Sequence, residues 1–180
     1  MTVIIDGSAS ADFATPLPVA EGGTGATSLV LGKVVQIVNT QDSAVATGTT
    51  VMPYDDTIPQ NTEGDEYMTL AITPTSATNK LKIEVVINAS GSVPMWIVAG
   101  LFQDSTASAI AGTLRNDSNA TELKPLTISY YMAAGTTSAT TFKIRVGLDR
   151  SGTTTFNGIS AGRELGGVYY SSITITEYSV

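Results

Sequence analysis

The chain has 180 residues, a net charge of −7, and neither cysteine nor histidine. That excludes disulfides, thiolate nucleophiles, zinc sites of the usual kinds and any catalytic triad that needs an imidazole. The acidic balance also disfavours binding to phosphate backbones or to anionic membrane surfaces, and no apolar run of about 18 residues is present to span a bilayer.

In chain order, residues 1–28 hold a short strand-like piece, "TVIID", then "GSASADFAT", then the stretch "PLPVAEGGTGATS". The opening residues lack a basic lead and an apolar core, so they read as neither a signal peptide nor an anchor. The Pro/Gly stretch cannot bury enough surface to offset its ordering entropy. It is therefore expected to be an extended arm that orders only against other chains. From residue 29 the composition changes, and apolar runs recur between turn signals. Strands are expected at about 33–38, 49–52, 67–73, 80–89, 95–103, 126–133, 140–148, 153–157 and 172–178.

Several of these alternate with period two, which marks one buried and one wet face. Leu81, Ile83, Val85 and Ile87 share a face, as do Phe142, Ile144, Val146 and Leu148, and as do Ile173, Ile175 and Glu177. The run "MWIVAGLF" is apolar throughout, so its strand is expected to be covered on both faces and to fill the core. Residues 105–117, "STASAIAGTLRND", read either as a short helix over a sheet end or as a wide loop. Charged residues make up only 14% of the chain, and β-branched Thr, Val and Ile are prominent. Together these patterns predict an all-β chain: an antiparallel β-sandwich or jelly-roll knob over 29–180, carrying an extended arm over 1–28.

Candidate chemistry is sparse. Asp55, Asp56, Glu63, Asp65 and Glu66 cluster in "YDDTIPQNTEGDEY". The cluster reads as a polar loop. A glycosidase pair or a Ca²⁺ site are the alternatives, although the order does not match an EF-hand. Asn88, Asn116 and Asn119 begin Asn-x-Ser/Thr triplets, which matter only in a secretory pathway. Trp96 reads as core in preference to a sugar platform. Tyr130 and Tyr131 are expected on opposite faces of one strand. Tyr169, Tyr170 and Tyr178 are candidates for a subunit interface or a flat carbohydrate contact. No residue is assigned to catalysis, to a cofactor or to a metal.

The stretch "PLPVAEGGTGATS" resembles the Gly-Gly-Thr-Gly-Ala-Thr element of tail-fibre and other fibrous virion proteins of tailed bacteriophages, including its Leu17-Pro18-Val19-Ala20 lead. "VIIDGSASADF" is similar to short stalk segments of such fibres, and the body to their β-rich terminal domains. The resemblance implies a non-enzymatic virion structural protein without cofactors, assembled in the host cytoplasm and displayed on the virion surface. Pro16, Leu17, Pro18, Val19, Gly22, Gly23, Thr24 and Gly25 would form the attachment and oligomerisation arm. The implied partners are two further copies in a homotrimer, a tail or major capsid protein, and a host-surface glycan; nucleic acid and membrane insertion are not expected. One copy of the glycine element points to a compact knob on a short stalk rather than to a long fibre. A capsid decoration (cement) protein that binds no receptor is the alternative. A glycan-degrading enzyme and a carbohydrate-binding module are the remaining readings.

Overall fold

The computed structural model describes residues 32–180. The chain divides into units Met1–Lys33 and Val34–Val180, and the described strands all lie in the second. The expected arm, 1–28, lies outside the described residues. The strands are β1 (Val34–Asp42), β2 (Ala46–Gly48), β3 (Asp65–Ile72), β4 (Lys80–Gly91), β5 (Met95–Gln103), β6 (Ala111–Asp117), β7 (Lys124–Ala133), β8 (Thr140–Leu148), β9 (Thr154–Phe156), β10 (Gly158–Ile159), β11 (Gly162–Arg163) and β12 (Ser171–Tyr178). Among the described residues there is no α-helix, and all strand pairing is antiparallel.

Register reveals the architecture. β12 pairs with Lys80–Val86 of β4, and β9 pairs with Ala89–Gly91 of the same strand. On their other side, Ser171 faces Asp42 of β1 and Phe156 faces Ala46 of β2. Thus β9 and β12 are two halves of one strand row, interrupted by residues 157–170, which leave the sheet and return. β1 and β2 form the neighbouring row. The first sheet runs β1/β2, β12/β9, β4, β7, and the second runs β3, β8, β5, β6. Eight rows that pass between two four-stranded sheets in this order are a jelly roll. The expected all-β fold class is the observed one.

The inward faces of both sheets meet in one core. Leu81, Ile83, Val85, Ile87, Ile173 and Ile175 from the first sheet pack against Ile97, Leu101, Phe142, Ile144, Val146 and Leu148 from the second. Each such burial contributes about 1.5–3 kcal/mol. The period-two alternation read in β4, β8 and β12 therefore selects the buried face correctly. β5 is covered on both faces. Met95, Ile97, Ala99 and Leu101 enter the main core, while Val98 and Phe102 join Met52 in a smaller cluster on the outer side.

Two expected elements differ. Residues 111–117 are strand β6, neither helix nor loop, paired with β5 from Leu101↔Ala111 to Met95↔Asp117. Its half-buried positions carry Ala111, Thr113 and Arg115, so small and polar residues hide the alternation. Residues 49–52 are not a strand. Their polar backbone is spent on other partners: Thr50 donates its N–H and hydroxyl to Asp65 at 3.0 and 2.7 Å, and Met52 N–H donates to Leu148 C=O at 2.9 Å.

Candidate functional site

The site begins with a long connection. Residues 49–64 run from β2 to β3 across the outer face of the second sheet. Backbone bonds pin the far end: Asn61 N–H to Ala107 C=O at 2.7 Å, and Ala109 N–H to Pro59 C=O at 2.9 Å. Arg145 of β8 fastens the end nearest β3, donating to the Glu63 and Gly64 carbonyls at 2.9 and 2.7 Å. Met52 is the apolar anchor, fully buried with Val98 and Phe102.

This cover requires glycine beneath it. A Cβ on Gly147 would lie 2.7 Å from Thr50 O and 2.8 Å from Met52 Cβ. Gly147→Ala is therefore expected to lift the cover and to destabilise the fold by about 1–3 kcal/mol. Denaturant titration reads the loss. A red shift in emission from Trp96, the single tryptophan, reads the lifting. Unchanged stability and emission would show that the loop does not depend on this close approach.

Between the 53–59 segment and the outer face of β5 and β6 lies a shallow groove in two adjoining parts. One, of about 430 Å³, is lined by 55–59 and 109–112. The other, of about 210 Å³, adds Tyr54, Val98 and Leu114. Asp55, Thr57, Pro59 and Gly112 border both parts. Tyr54 stacks on Trp96 with ring centroids 4.6 Å apart and an interplanar angle of 23°. One face of the Tyr54 ring is thus held flat, while the residue keeps 53% of its surface exposed. Trp96 belongs to this outer cluster, not to the sandwich core where the sequence reading placed it.

The acidic residues do separate jobs. Asp55 Oδ1 accepts from the Thr57 hydroxyl and from its N–H at 2.5 and 2.8 Å, and these bonds hold its carboxyl below the usual range. Glu63 accepts the Gln60 N–H at 2.9 Å, and Asp65 holds Thr50. Glu66 faces Arg145 at 3.5 Å and Lys143 at 3.9 Å. Asp56 makes no hydrogen bond or ion pair among the described residues. No three carboxylates among the described residues converge on a point that could hold a metal ion.

The other sequence candidates are placed as follows. Pro16, Leu17, Pro18, Val19, Gly22, Gly23, Thr24 and Gly25 lie outside the described residues. Tyr169 and Tyr170 close the 157–170 excursion, Tyr169 half-buried and Tyr170 44% exposed. Tyr178 ends β12, roughly 25–30 Å further along the chain, so the three rings form no single surface. Tyr131 is exposed on the outer face of β7 near Lys82, whose Nζ is 5.7 Å from the ring centroid; Tyr130 is half-buried on the core side. Asn88 is buried, and its Nδ2 donates to Tyr170 C=O.

Sequence reasoning missed the 157–170 excursion and the node at its base. Asn157 is buried with φ +54°, and its Nδ2 donates to the Asp42 and Ala44 carbonyls at 2.7 and 3.2 Å. Ser171 Oγ donates to Asn157 Oδ1 at 2.7 Å and accepts the Asn88 N–H at 2.9 Å. The Asn157-Gly158 dipeptide was the available signal, since Asn tolerates left-handed backbone and marks turns.

No protein-family model matches the chain, and no curated protein sequence matches it. Solved structures similar to it include that of the infectious bursal disease virus Gx strain, at 10% identity and TM-score 0.37 over 81% of this chain and 42% of that one. The enzymatically active domain of tailspike protein 4 of bacteriophage CBA120 is similar at 15% identity and TM-score 0.30, over 71% of this chain and 19% of that one. Dimeric latent PorU from Porphyromonas gingivalis is similar at 9% identity and TM-score 0.33, over 82% and 14%. The chain therefore spans less than half the length of these chains, and each is a distant geometric likeness to part of a larger molecule. No helix among the described residues is long and apolar enough to cross a membrane.

Proposed function

We propose that the chain is a non-enzymatic structural protein of a bacteriophage virion: a jelly-roll knob that trimerises and attaches to the tail or capsid through its N-terminal arm. The observation that carries this reading is the joining of "PLPVAEGGTGATS", with its resemblance to the glycine element of phage fibres, to an all-β body. Asp55, Glu63, Asp65 and Glu66 are each spent on a separate local partner, which supports a role without catalysis. A glycine- and proline-rich stretch whose composition supplies no core would satisfy its backbone with water or with other chains. Closed symmetry would supply those chains without runaway assembly.

Light scattering on the whole chain at micromolar concentration is expected to give three times the 18.6 kDa protomer mass. Deleting 1–28 is expected to leave a folded body that no longer enters particles. A monomeric mass with the arm intact would refute the intrinsic trimer, and unfolding of the truncated chain would make the arm part of the domain. Copy number per particle separates a few knobs at the tail from a decoration protein spread over the shell.

A further inference from the structure

We propose that the groove between Tyr54 and Gly112 binds a single uncharged pyranose unit. The proposal names the contact site for the host glycan and rests on the virion-surface reading only for the source of that sugar. Three features of the groove select this ligand chemistry.

The first is the ring. Trp96 supports one face of Tyr54 at 4.6 Å, which fixes the ring before any ligand arrives. Tyr54 nevertheless keeps 53% of its surface exposed and lines the 210 Å³ part of the groove. A ring held flat and left half-exposed presents apolar area at low entropic cost. The C–H face of a pyranose matches it in size and flatness.

The second is the pair of unspent acceptors. Asp55 spends Oδ1 on Thr57, and no hydrogen bond among the described residues occupies its Oδ2. Asp56 has no partner among the described residues. Both residues line the groove. Asp55 borders both parts of the groove and Asp56 the larger part; carboxylates so placed accept hydrogen bonds from sugar hydroxyls, and bonds to a charged acceptor are the stronger kind.

The third is charge. No lysine or arginine lines either part of the groove, and the chain as a whole is at −7. Sialic acids, uronic acids and phosphorylated sugars would meet repulsion without a compensating cation. An uncharged pyranose meets none. The part of the groove that Tyr54 lines, about 210 Å³, is on the scale of one ring unit.

Trp96 emission and ligand-observed NMR should be followed while the whole protein is titrated with the methyl pyranosides of glucose, galactose, mannose and N-acetylglucosamine, and with N-acetylneuraminate. At least one methyl pyranoside is expected to saturate with a Kd on the order of 1 mM, as suits a small ligand in an open groove, and N-acetylneuraminate is not. Tyr54→Phe should bind within about twofold of wild type, and Tyr54→Ala at least about tenfold more weakly, the equivalent of one decade in Kd. Asp56→Asn removes a charge that supports nothing in the fold, so its expected weakening of about threefold or more is free of folding effects. No response to any of the pyranosides at about 20 mM, unchanged binding in Tyr54→Ala and Asp56→Asn, or preference for the anionic sugar would each overturn the proposal. All variants are expected to keep the wild-type mass in solution, so failure at the groove is distinguishable from failure of the trimeric virion reading.

Discussion

Replacing Asn157 with alanine is expected to lower stability by about 3–4 kcal/mol, the sum of lost hydrogen bonds and backbone strain. Asn157 stands where the β9/β12 row breaks, and it carries the chain out of the sheet at φ +54°. Its side chain fills the gap left in the row. It bonds the Asp42 and Ala44 carbonyls between β1 and β2, and it accepts from Ser171, where the chain re-enters. Alanine at this φ costs about 1–2 kcal/mol relative to ordinary backbone. The buried Ser171 hydroxyl and the half-buried Asp42 carbonyl each add about 1 kcal/mol when left without their bonds, while the carbonyl of the exposed Ala44 turns to water. For a chain of this length the melting temperature should fall by about 6–15 °C.

Asn157→Gly separates the two contributions, because glycine relieves the strain but restores none of the bonds. It should recover about 1 kcal/mol and leave the remainder. If alanine costs less than about 1 kcal/mol, this node does not hold the excursion. If glycine restores full stability, strain is the whole effect.

Glu177→Gln is expected to cost about 2–3 kcal/mol at neutral pH, the range for bonds to a buried charged group. Glu177 follows Ile173 and Ile175 on the inward side of β12 and is fully buried. Burial alone would push its carboxyl up. Bonds from Gln36 Nε2 at 2.6 Å, Asn79 Nδ2 at 2.6 Å, and the Thr75 N–H and hydroxyl at 2.9 Å outweigh that and hold it at about 2. The carboxylate thus ties β1 and the β3–β4 turn to β12. Glutamine keeps the shape but turns an NH₂ group toward donors.

The pH dependence has a definite sign. A pKa depressed in the folded state gives stability that is complete above the unfolded value of about 4.5, and that disappears as pH falls toward about 2. Wild type and Glu177→Gln should differ most from pH 5 upward, and their denaturation midpoints should converge between about pH 4.5 and pH 2. Parallel curves through that window would show that the charge of Glu177 contributes nothing. The lowered carboxyls of Asp55, Glu122 and Asp149 titrate in both proteins alike, so the comparison isolates Glu177.

From its sequence alone this chain is committed to sheets. Period-two alternation in 80–87, 142–148 and 173–177 is a property of neighbouring residues, because successive side chains on a strand point to opposite faces. It therefore identifies the buried sides of β4, β8 and β12 without knowledge of their partners. The lack of histidine and cysteine likewise removes whole classes of chemistry regardless of fold. Tertiary structure decided what depends on partners distant along the chain. β6 is a strand because β5 offers it a ladder; its own small and polar residues show no period. Tyr54 lies over Trp96 because Met52 is buried on the outer face of the second sheet and draws the 49–64 connection across it. Glu177 follows the inward alternation, but whether a charge can survive there depends on Gln36, Thr75 and Asn79, which only the closed sandwich brings to it. That β9 and β12 are one row broken by an excursion follows from register against β4, and register is set by pairing across space, not by the order of residues within a strand.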